Sequence, residues 1–199
     1  MRALDIDPVH DTRETFRALV DATSRPGTVE QTPTTPAVHA VVATLVDHEV
    51  TLHGGGDELR TTLGRESRLD TAPFEDADVV VVDGHTDGRV TVAKRGSLKE
   101  PSEGATLVYE VADLSADTEP IDGDDDQTLT LAVSGPGVPD TRTFGVDGLP
   151  ATEVEAIAEA QSGYPRGVDV YLAADDRVVG LPRSVDLSVA SDVPDEEVA

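Results

Sequence analysis

Residues 163–187 read GYPRGVDVYLAADDRVVGLPRSVDL, and this stretch predicts two neighbouring strands of the sheet on which the fold is built. Apolar side chains alternate over residues 168–172 and again over residues 178–181, with the period of a pleated strand. The Ala-Ala-Asp-Asp segment between them suits a tight turn, which predicts an antiparallel hairpin. Arg166 precedes the first strand and Arg183 follows the second, so we expect both at one edge of the sheet. This arrangement is a candidate anion site.

Outside the hairpin, predicted helices and strands are interspersed. The continuous apolar run at 79–82 is typical of a central strand covered by helices on both faces. This pattern predicts an α/β fold, a three-layer αβα arrangement with a mixed sheet, formed by one domain over residues 1–190 and followed by a polar tail at 191–199. The other helices are predicted at 11–23, 37–48, 57–63 and 152–161, and the other strands at 50–53, 90–93, 106–111 and 129–133.

The first predicted helix begins with Asp11 and Glu14, a pair that reads as a capping box. It ends at Ser24-Arg25-Pro26-Gly27, where proline disfavours helical geometry in the preceding residue. Arg25 is therefore either an exposed residue of an ordinary helix terminator or a functional arginine held on a stiff turn. The apolar face of the first helix is predicted to consist of Phe16, Leu19, Val20 and Thr23.

The last helix is predicted to be capped by Thr152 with Glu155.

Charge is the dominant feature of the composition. The chain has 40 Asp and Glu against 15 Lys and Arg, a formal net charge of -25, and only two of the basic residues are lysines. The acidic residues are spread between apolar segments along the whole length. This favours a folded protein with a carboxylate-rich surface, typical of a cytoplasm at molar salt, where the Debye length of ~3 Å screens self-repulsion.

The composition also excludes several classes of function. No basic stripe is present to neutralise phosphates, which argues against nucleic-acid binding. The chain contains no cysteine and therefore no disulfide or thiolate chemistry. No apolar run approaches the ~18 residues of a membrane span, and the first residues, MRALDIDPVHD, lack an apolar signal region. We expect a cytoplasmic protein without membrane contact.

Metal and covalent chemistry have little support in the sequence. The five histidines show no metal-site spacing. The acidic segment 121–127 has Gln127 where a calcium loop needs glycine, which favours a solvated loop. Lys94 and Lys99 lie in a polar segment and are poor candidates for a Schiff base. No metal and no cofactor are therefore predicted.

A glycine turn, Ser134-Gly135-Pro136-Gly137, follows the strand at 129–133. Glycines at a strand end let a ligand approach the backbone, whose amides can bind an oxyanion, although a plain Gly-Pro-Gly turn explains the residues equally well. Arg25, Arg166 and Arg183 each lie beside a proline or glycine turn. The arginine fork suits a phosphate, a phosphonate or a carboxylate on a partner chain.

Several short blocks follow one another in order along nearly the whole chain. The blocks are Phe16-Arg17, Ala22-Thr23-Ser24-Arg25-Pro26-Gly27, Gly104-Ala105-Thr106-Leu107, Ser134-Gly135-Pro136-Gly137, Tyr164-Pro165-Arg166-Gly167-Val168-Asp169 and Leu181-Pro182-Arg183-Ser184. Together, at this spacing, they resemble the PhnH family of carbon–phosphorus lyase subunits. Residues 54–96 contain no distinctive family motif.

The resemblance implies a fold like that of pyridoxal-phosphate-dependent transferases, without the cofactor. It also implies a homodimer that assembles with the sibling subunits PhnG, PhnI and PhnJ. The family's system makes alpha-D-ribose 1-methylphosphonate 5-triphosphate from ATP and methylphosphonate, and no catalytic residue is carried over to this chain. The acidic segment 121–127 departs from the family pattern in a way that fits a salt-adapted member.

Three functional hypotheses follow. The first is an accessory subunit of the phosphonate-degrading complex, with a surface that binds a phosphate or phosphonate or contacts another subunit. The second is a pure scaffold that binds no small molecule, and the third is a transferase with Asp169 as general base. The residues assigned to binding or to an interface are Ser24, Arg25, Pro26, Gly27, Ser134, Gly135, Gly137, Tyr164, Asp169 and Arg183.

Overall fold

The structure is a computed structural model, and it describes residues 4–66, 69–116 and 128–190. These residues contain four α-helices: α1 (His10–Ser24), α2 (Ala37–Leu45), α3 (Asp57–Arg65) and α4 (Ala151–Gln161). The strands of the described residues are β1 (Val29–Gln31), β2 (Thr51–His53), β3 (Asp70–Thr71), β4 (Val79–Asp83), β5 (Thr106–Glu110), β6 (Asp113–Ala116), β7 (Thr128–Ser134), β8 (Thr141–Asp147), β9 (Asp169–Ala174), β10 (Arg177–Leu181) and β11 (Asp186–Val189).

The strands form two sheets. The larger is mixed, with the order β1-β10-β9-β5-β4-β2-β3. Its strands β9, β5, β4, β2 and β3 run parallel, whereas β10 pairs antiparallel with both β9 and β1. The smaller sheet is antiparallel, with the order β11-β7-β8-β6. The predicted α/β class and mixed sheet are confirmed, and the second sheet was not predicted.

Successive side chains along the strands of the large sheet pack into two separate hydrophobic cores. On β5, Val108 packs with α1, α2 and α3, whereas Leu107 and Tyr109 pack with α4 and with the smaller sheet. The continuous apolar run of β4 divides in the same way, since Val79 belongs to the first cluster and Val80 to the second. Helices therefore cover one face of the large sheet, and α4 together with a sheet covers the other.

The hairpin that the sequence predicts is present as β9 and β10. Arg177 pairs with Ala174, so the strands extend further than predicted and leave a turn of only Asp175 and Asp176. Asp175 has a φ of 48°. The carbonyl oxygens of the turn also accept hydrogen bonds from distant amides: Asp175 O accepts from Ala37 N at 2.6 Å, and Asp176 O accepts from Thr32 N at 2.7 Å. The hairpin thus fixes the start of α2.

The first helix differs from the prediction at its start. The carboxylate of Asp7 accepts from the amides of Val9 at 2.9 Å and His10 at 2.7 Å. The Asp11 carboxylate instead reaches back to the amide of Asp7 at 2.7 Å. The capping interaction therefore lies four residues earlier than predicted.

The predicted apolar face of α1 is confirmed for Leu19 and wrong for Phe16, Val20 and Thr23, which are exposed. Its buried residues are Thr15, Ala18, Leu19 and Ala22, whereas Phe16 and Val20 are 58% and 49% exposed. A Cβ on Gly180 of β10 would lie 2.8 Å from the carbonyl carbon of Ala22, so helix and strand are in close contact. Only small side chains fit at this contact, whereas Phe16 and Val20 face outward.

Two further local predictions are wrong. Residues predicted as the strand 90–93 form part of a 3₁₀ turn, Arg89–Val92, in which Val90 is buried and Val92 is exposed. Thr152 does not cap α4, because Pro150 precedes the helix and its carbonyl accepts from the amides of Glu153 and Val154. A second 3₁₀ turn covers Pro101–Glu103. The acidic segment 121–127 and the predicted tail 191–199 lie outside the described residues.

None of the helices in the described part of the chain combines the length and apolar character that a membrane crossing needs.

Candidate functional site

The turn at Ser24–Gly27 packs directly against the glycine turn at Ser134–Gly137. A Cβ on Gly137 would lie 2.9 Å from the carbonyl oxygen of Ser24, and Gly137 has a φ of +84°. The guanidinium of Arg142 on β8 fixes the same contact, since its Nη1 donates to Pro26 O at 2.7 Å. Glycine is therefore required here because two backbone segments touch.

The glycine turn also contacts the segment that follows β10. Ser134 pairs with Asp186 of β11, and a Cβ on Gly135 would lie 3.2 Å from the carbonyl oxygen of Ser184. Three segments distant in sequence thus form one continuous surface. We call it the motif surface, and it consists of the Ser24–Gly27 turn, the Ser134–Gly137 turn and residues 182–184.

Arg25 is the accessible cation of the motif surface. Its Nη2 lies 3.1 Å from Glu30 Oε1 and 3.6 Å from Asp21 Oδ2, and its side chain is 53% exposed. Its carbonyl oxygen accepts from the amide and the hydroxyl of Thr28 at 3.1 and 2.8 Å. The turn backbone is therefore held firmly, and the guanidinium is shared between two acidic side chains.

Arg183 forms hydrogen bonds within the fold. Its backbone amide donates to Asp169 Oδ1 at 2.8 Å, and its Nε lies 3.1 and 3.2 Å from the two carboxylate oxygens of Asp169. Its Nη2 also donates to Asp169 Oδ2, and its Nη1 donates to the carbonyl oxygen of Pro101. The side chain is only 12% exposed. Arg25 and Arg183 therefore lie in two separate networks.

Close backbone packing around Arg183 explains two motif glycines. A Cβ on Gly104 would lie 2.3 Å from the carbonyl oxygen of Gly167 and 2.5 Å from Arg183 Nη1. Gly167 N donates to Arg95 O at 3.1 Å, and Asp169 N donates to Ala105 O at 3.0 Å. The Gly104 and Gly167 blocks thus enclose the pair formed by Asp169 and Arg183.

A cavity of about 190 Å³ lies beside this pair, and Tyr164, Arg183 and Gln161 are among its lining residues. Tyr164 is 68% exposed. Gln161 is buried, and its Nε2 donates to Val168 O at 3.3 Å and Leu181 O at 2.9 Å. Its Oε1 has no hydrogen-bond partner among the residues that the structure describes. Gln161 was not predicted as a site residue, although a polar residue four positions after Ile157 on the core-facing side of a helix is a signal in the sequence.

Glu153 of α4 is a buried carboxylate that the sequence analysis also missed. It accepts from Thr86 Oγ1 at 2.5 Å, Tyr109 Oη at 2.8 Å and Gly88 N at 3.0 Å. Burial alone would raise the pKa of Glu153, but these hydrogen bonds outweigh burial and hold the pKa below its ordinary value. Burial and the nearby carboxylate raise the pKa of Tyr109.

Both lysines of the chain lie beside acidic side chains. Lys94 Nζ lies 2.7 Å from Asp78 Oδ1, and the Lys99 side chain is 89% exposed. Burial would raise the pKa of Asp78, but hydrogen bonds from Lys94 and Thr51 lower it overall. Across residues 4–66, 69–116 and 128–190, no three histidine or acidic side chains are arranged to hold a metal ion.

These features define a class: an α/β protein with a mixed sheet, in which three motif segments distant in sequence pack into one surface. The sequence matches the family described as "Bacterial phosphonate metabolism protein (PhnH)" over residues 5–188. This match covers nearly the whole chain. The chain therefore belongs to the PhnH family of phosphonate metabolism proteins.

Two relatives are similar along most of their length. A protein of Stutzerimonas stutzeri named as a C-P lyase subunit protein, HtxG, is 28% identical over 176 residues, which are 87% of this chain and 84% of the relative. The alpha-D-ribose 1-methylphosphonate 5-triphosphate synthase subunit PhnH of Rhizobium meliloti (strain 1021) is 26% identical over 201 residues, covering 91% of this chain and 92% of the relative.

Proposed function

We propose that this chain is an accessory subunit of the carbon–phosphorus lyase complex in organic phosphonate catabolism. The family match over residues 5–188 carries the proposal, and the names of the two relatives support it. In this proposal the chain works in the cytoplasm as a homodimer and associates with PhnG, PhnI and PhnJ. It supports formation of alpha-D-ribose 1-methylphosphonate 5-triphosphate from ATP and methylphosphonate without catalysing that step alone.

The subunit contact is assigned to the motif surface and the adjoining outer face of α1. Phe16, Val20 and Ser24 are four residues apart and so lie on one side of the helix that leads into the Ser24–Gly27 turn. Exposed apolar side chains bordered by polar residues are typical of protein–protein interfaces. Phe16 belongs to the family blocks, and the fold does not bury it.

A co-purification experiment tests this contact. The chain is co-expressed with tagged PhnI, PhnG and PhnJ, and Phe16→Asp and Val20→Asp are compared with Val92→Asp. Val92 is a matched control because it is also an exposed valine, at 59%, outside the proposed contact. We expect the two α1 variants to be lost from the complex and Val92→Asp to be retained, with all three showing the circular dichroism spectrum of the unchanged chain. Retention of both α1 variants would contradict the proposed contact.

Whether the chain itself binds a phosphate or phosphonate at the motif surface is tested separately. Calorimetric titration of the isolated chain in molar KCl with ATP and with methylphosphonate is the direct measurement. We expect the Arg25→Gln substitution to weaken any binding, because Arg25 is the accessible cation there. Absence of heat from both ligands, with sibling subunits still bound, would favour the pure scaffold.

The transferase alternative receives less support from the geometry. Both carboxylate oxygens of Asp169 accept hydrogen bonds from Arg183, which leaves the carboxylate poorly placed to accept a proton from a substrate. Release of adenine from ATP by the isolated chain would establish this alternative. The likeness to pyridoxal-phosphate-dependent transferases stays a proposal about the fold, and we expect pyridoxal phosphate to form no Schiff base with the chain.

A further inference from the structure

The order of the parallel strands reverses direction between β2 and β4. From β2 the chain passes through α3 to β3 on one side, and from β4 it passes through the 3₁₀ turn Arg89–Val92 to β5 on the other. The two connections also lie on opposite faces, since Leu59 and Leu63 of α3 join the first core cluster and Val90 joins the second. Such a reversal opens a crevice at the carboxyl ends of the strands, where α/β proteins bind ligands.

A cavity of about 320 Å³ lies at this point. It is lined by residues at or after the carboxyl ends of three neighbouring parallel strands: His53 and Gly54 of β2, Phe74 after β3, and Asp83, His85 and Arg89 at or after β4. A Cβ on Gly54 would lie 2.2 Å from the carbonyl oxygen of Val81, so only glycine lets the β2 loop lie against β4. The volume is within the usual range for a small-molecule site.

One side of the cavity is cationic and aromatic. The guanidinium carbon of Arg89 lies 4.4 Å from the centroid of the Phe74 ring, and His53 meets the same ring edge-on at 5.6 Å. His53 Nδ1 lies 3.1 Å from Ala72 O, an acceptor, which assigns the Nδ1 proton and leaves Nε2 of the neutral ring as an acceptor. The Arg89 guanidinium has no carboxylate or hydrogen-bond partner within the described part of this strongly acidic chain.

The other side of the cavity carries the exposed carboxylate of Asp83, the last residue of β4, and the polar side chains of His85, Thr86 and Asp87. The Asp83 carboxylate too has no ion-pair or hydrogen-bond partner among the described side chains, whereas Asp87 pairs with His85 at 3.2 Å. An unpaired guanidinium and an unpaired carboxylate in one cavity match a ligand that offers both an oxyanion and hydroxyl donors.

We propose that the cavity between the carboxyl ends of β2 and β4 binds a small polyhydroxylated ligand that carries a phosphoryl, phosphonyl or carboxylate group. Arg89 binds the oxyanion, and the Asp83 carboxylate and His53 Nε2 accept from the hydroxyl groups. This site is separate from the motif surface, and the inference goes beyond the subunit role because complex membership does not require it.

Three probes separate the two halves of the proposed ligand: glycerol 3-phosphate, inorganic phosphate and glycerol. We expect the full chain in molar KCl to bind glycerol 3-phosphate more tightly than phosphate, and phosphate more tightly than glycerol. The imidazole C2–H resonances of His53 and His85 should shift on binding, while those of His10, His39 and His48 stay in place. This measurement uses the unchanged chain and does not depend on any variant folding.

Substitutions then assign the contacts. We expect Arg89→Gln to weaken binding of both phosphate probes about tenfold or more, the loss typical of one charge-assisted hydrogen bond. Asp83→Asn should remove only the advantage of glycerol 3-phosphate over phosphate. Arg65→Gln, at an exposed arginine in the last turn of α3 and outside the cavity, is the matched control and should bind as the unchanged chain does.

Unchanged binding in Arg89→Gln, shifts at His10, His39 or His48 instead, or no binding of any probe would overturn the site. Equal affinity for phosphate and glycerol 3-phosphate would overturn the hydroxyl half of the proposal. Arg89→Gln should still co-purify with the sibling subunits, so failure here is distinguishable from failure of the proposed function.

Discussion

At the scale of single residues, Arg183 is the least exposed member of any ion pair among the described residues, at 12%. Asp169 lies at the start of β9 and Arg183 just after β10, so their pair closes the open end of the hairpin. The same guanidinium contacts the carbonyl oxygen of Pro101 and thereby ties the hairpin to a distant loop. A removed partner would leave a charge that is poorly solvated.

Replacing Asp169 with asparagine should therefore be costly. We expect Asp169→Asn to lower the free energy of unfolding by about 2 to 3 kcal/mol, less than for a fully buried pair because Asp169 is partly exposed. Arg25→Gln removes one partner of an exposed ion pair and should lower the free energy of unfolding by less than about 1 kcal/mol. Urea unfolding in molar KCl measures both variants, and equal losses would contradict the internal role of Asp169.

Two glycines should respond in opposite directions to substitution by alanine. A Cβ at Gly104 would lie 2.3 Å from the carbonyl oxygen of Gly167, so Gly104→Ala should lower the melting temperature strongly or prevent folding. At Gly64, inside α3, the nearest atom to a Cβ is 3.9 Å away. Gly64→Ala should stabilise the chain by about 0.5 to 1 kcal/mol. Thermal unfolding followed by circular dichroism measures the melting temperature of both variants. An unchanged melting temperature for Gly104→Ala would contradict the close contact of Gly104 with the Gly167 carbonyl oxygen.

At the scale of elements, the local sequence pattern predicted the hairpin strands, whose apolar residues alternate. It did not predict the features that depend on a packing partner far away in the sequence. The β9–β10 hairpin was predictable because both strands alternate over a short turn. The buried face of α1 was not, because the close contact of Ala22 with Gly180 is a property of β10, far away in sequence. The strand β8 was missed for a similar reason: only Phe144 and Val146 are buried in it, and their partners lie on β7 and β6.

Helix α4 should be held in place in a pH-dependent way. Glu153 has a folded pKa below its ordinary value of 4.5, because hydrogen bonds from Thr86, Gly88 and Tyr109 outweigh the effect of burial. The stabilisation is therefore complete above pH 4.5 and is lost as the pH falls through the lower folded pKa.

The difference in melting temperature between the unchanged chain and Glu153→Gln should accordingly be largest near neutral pH and shrink below pH 4.5. Glu155→Gln, at an exposed position of the same helix, is the control and should show little difference at any pH. A Glu153→Gln difference that stays constant from neutral to acid pH would contradict this account.

At the scale of the whole molecule, the net charge of -25 implies strong self-repulsion in dilute buffer. We propose that the chain is salt-adapted, since screening of this charge requires concentrated salt. The melting temperature should fall when molar KCl is replaced by millimolar KCl. The ionic effect is tested by comparing KCl with an equal osmolality of sucrose, and a melting temperature independent of KCl would refute the adaptation.

The arrangement of the motif segments was only partly predictable. The sequence predicts that Arg25, Arg183 and the Ser134–Gly137 turn line one surface. The backbone segments are in contact, but the two guanidinium groups lie in separate networks. The use of each guanidinium was not predictable, because it depends on acceptors such as Glu30 and the Pro101 carbonyl oxygen, which only the folded chain brings near. The cavity between β2 and β4 contains no recognisable motif and became visible only from the strand order.

The large sheet ends in β1, with three residues, and β3, with two. Borders this short leave few free amide and carbonyl groups for a strand from another chain to pair with. The large sheet therefore offers little template for edge-to-edge pairing between copies of the chain, which lowers the tendency to aggregate through it.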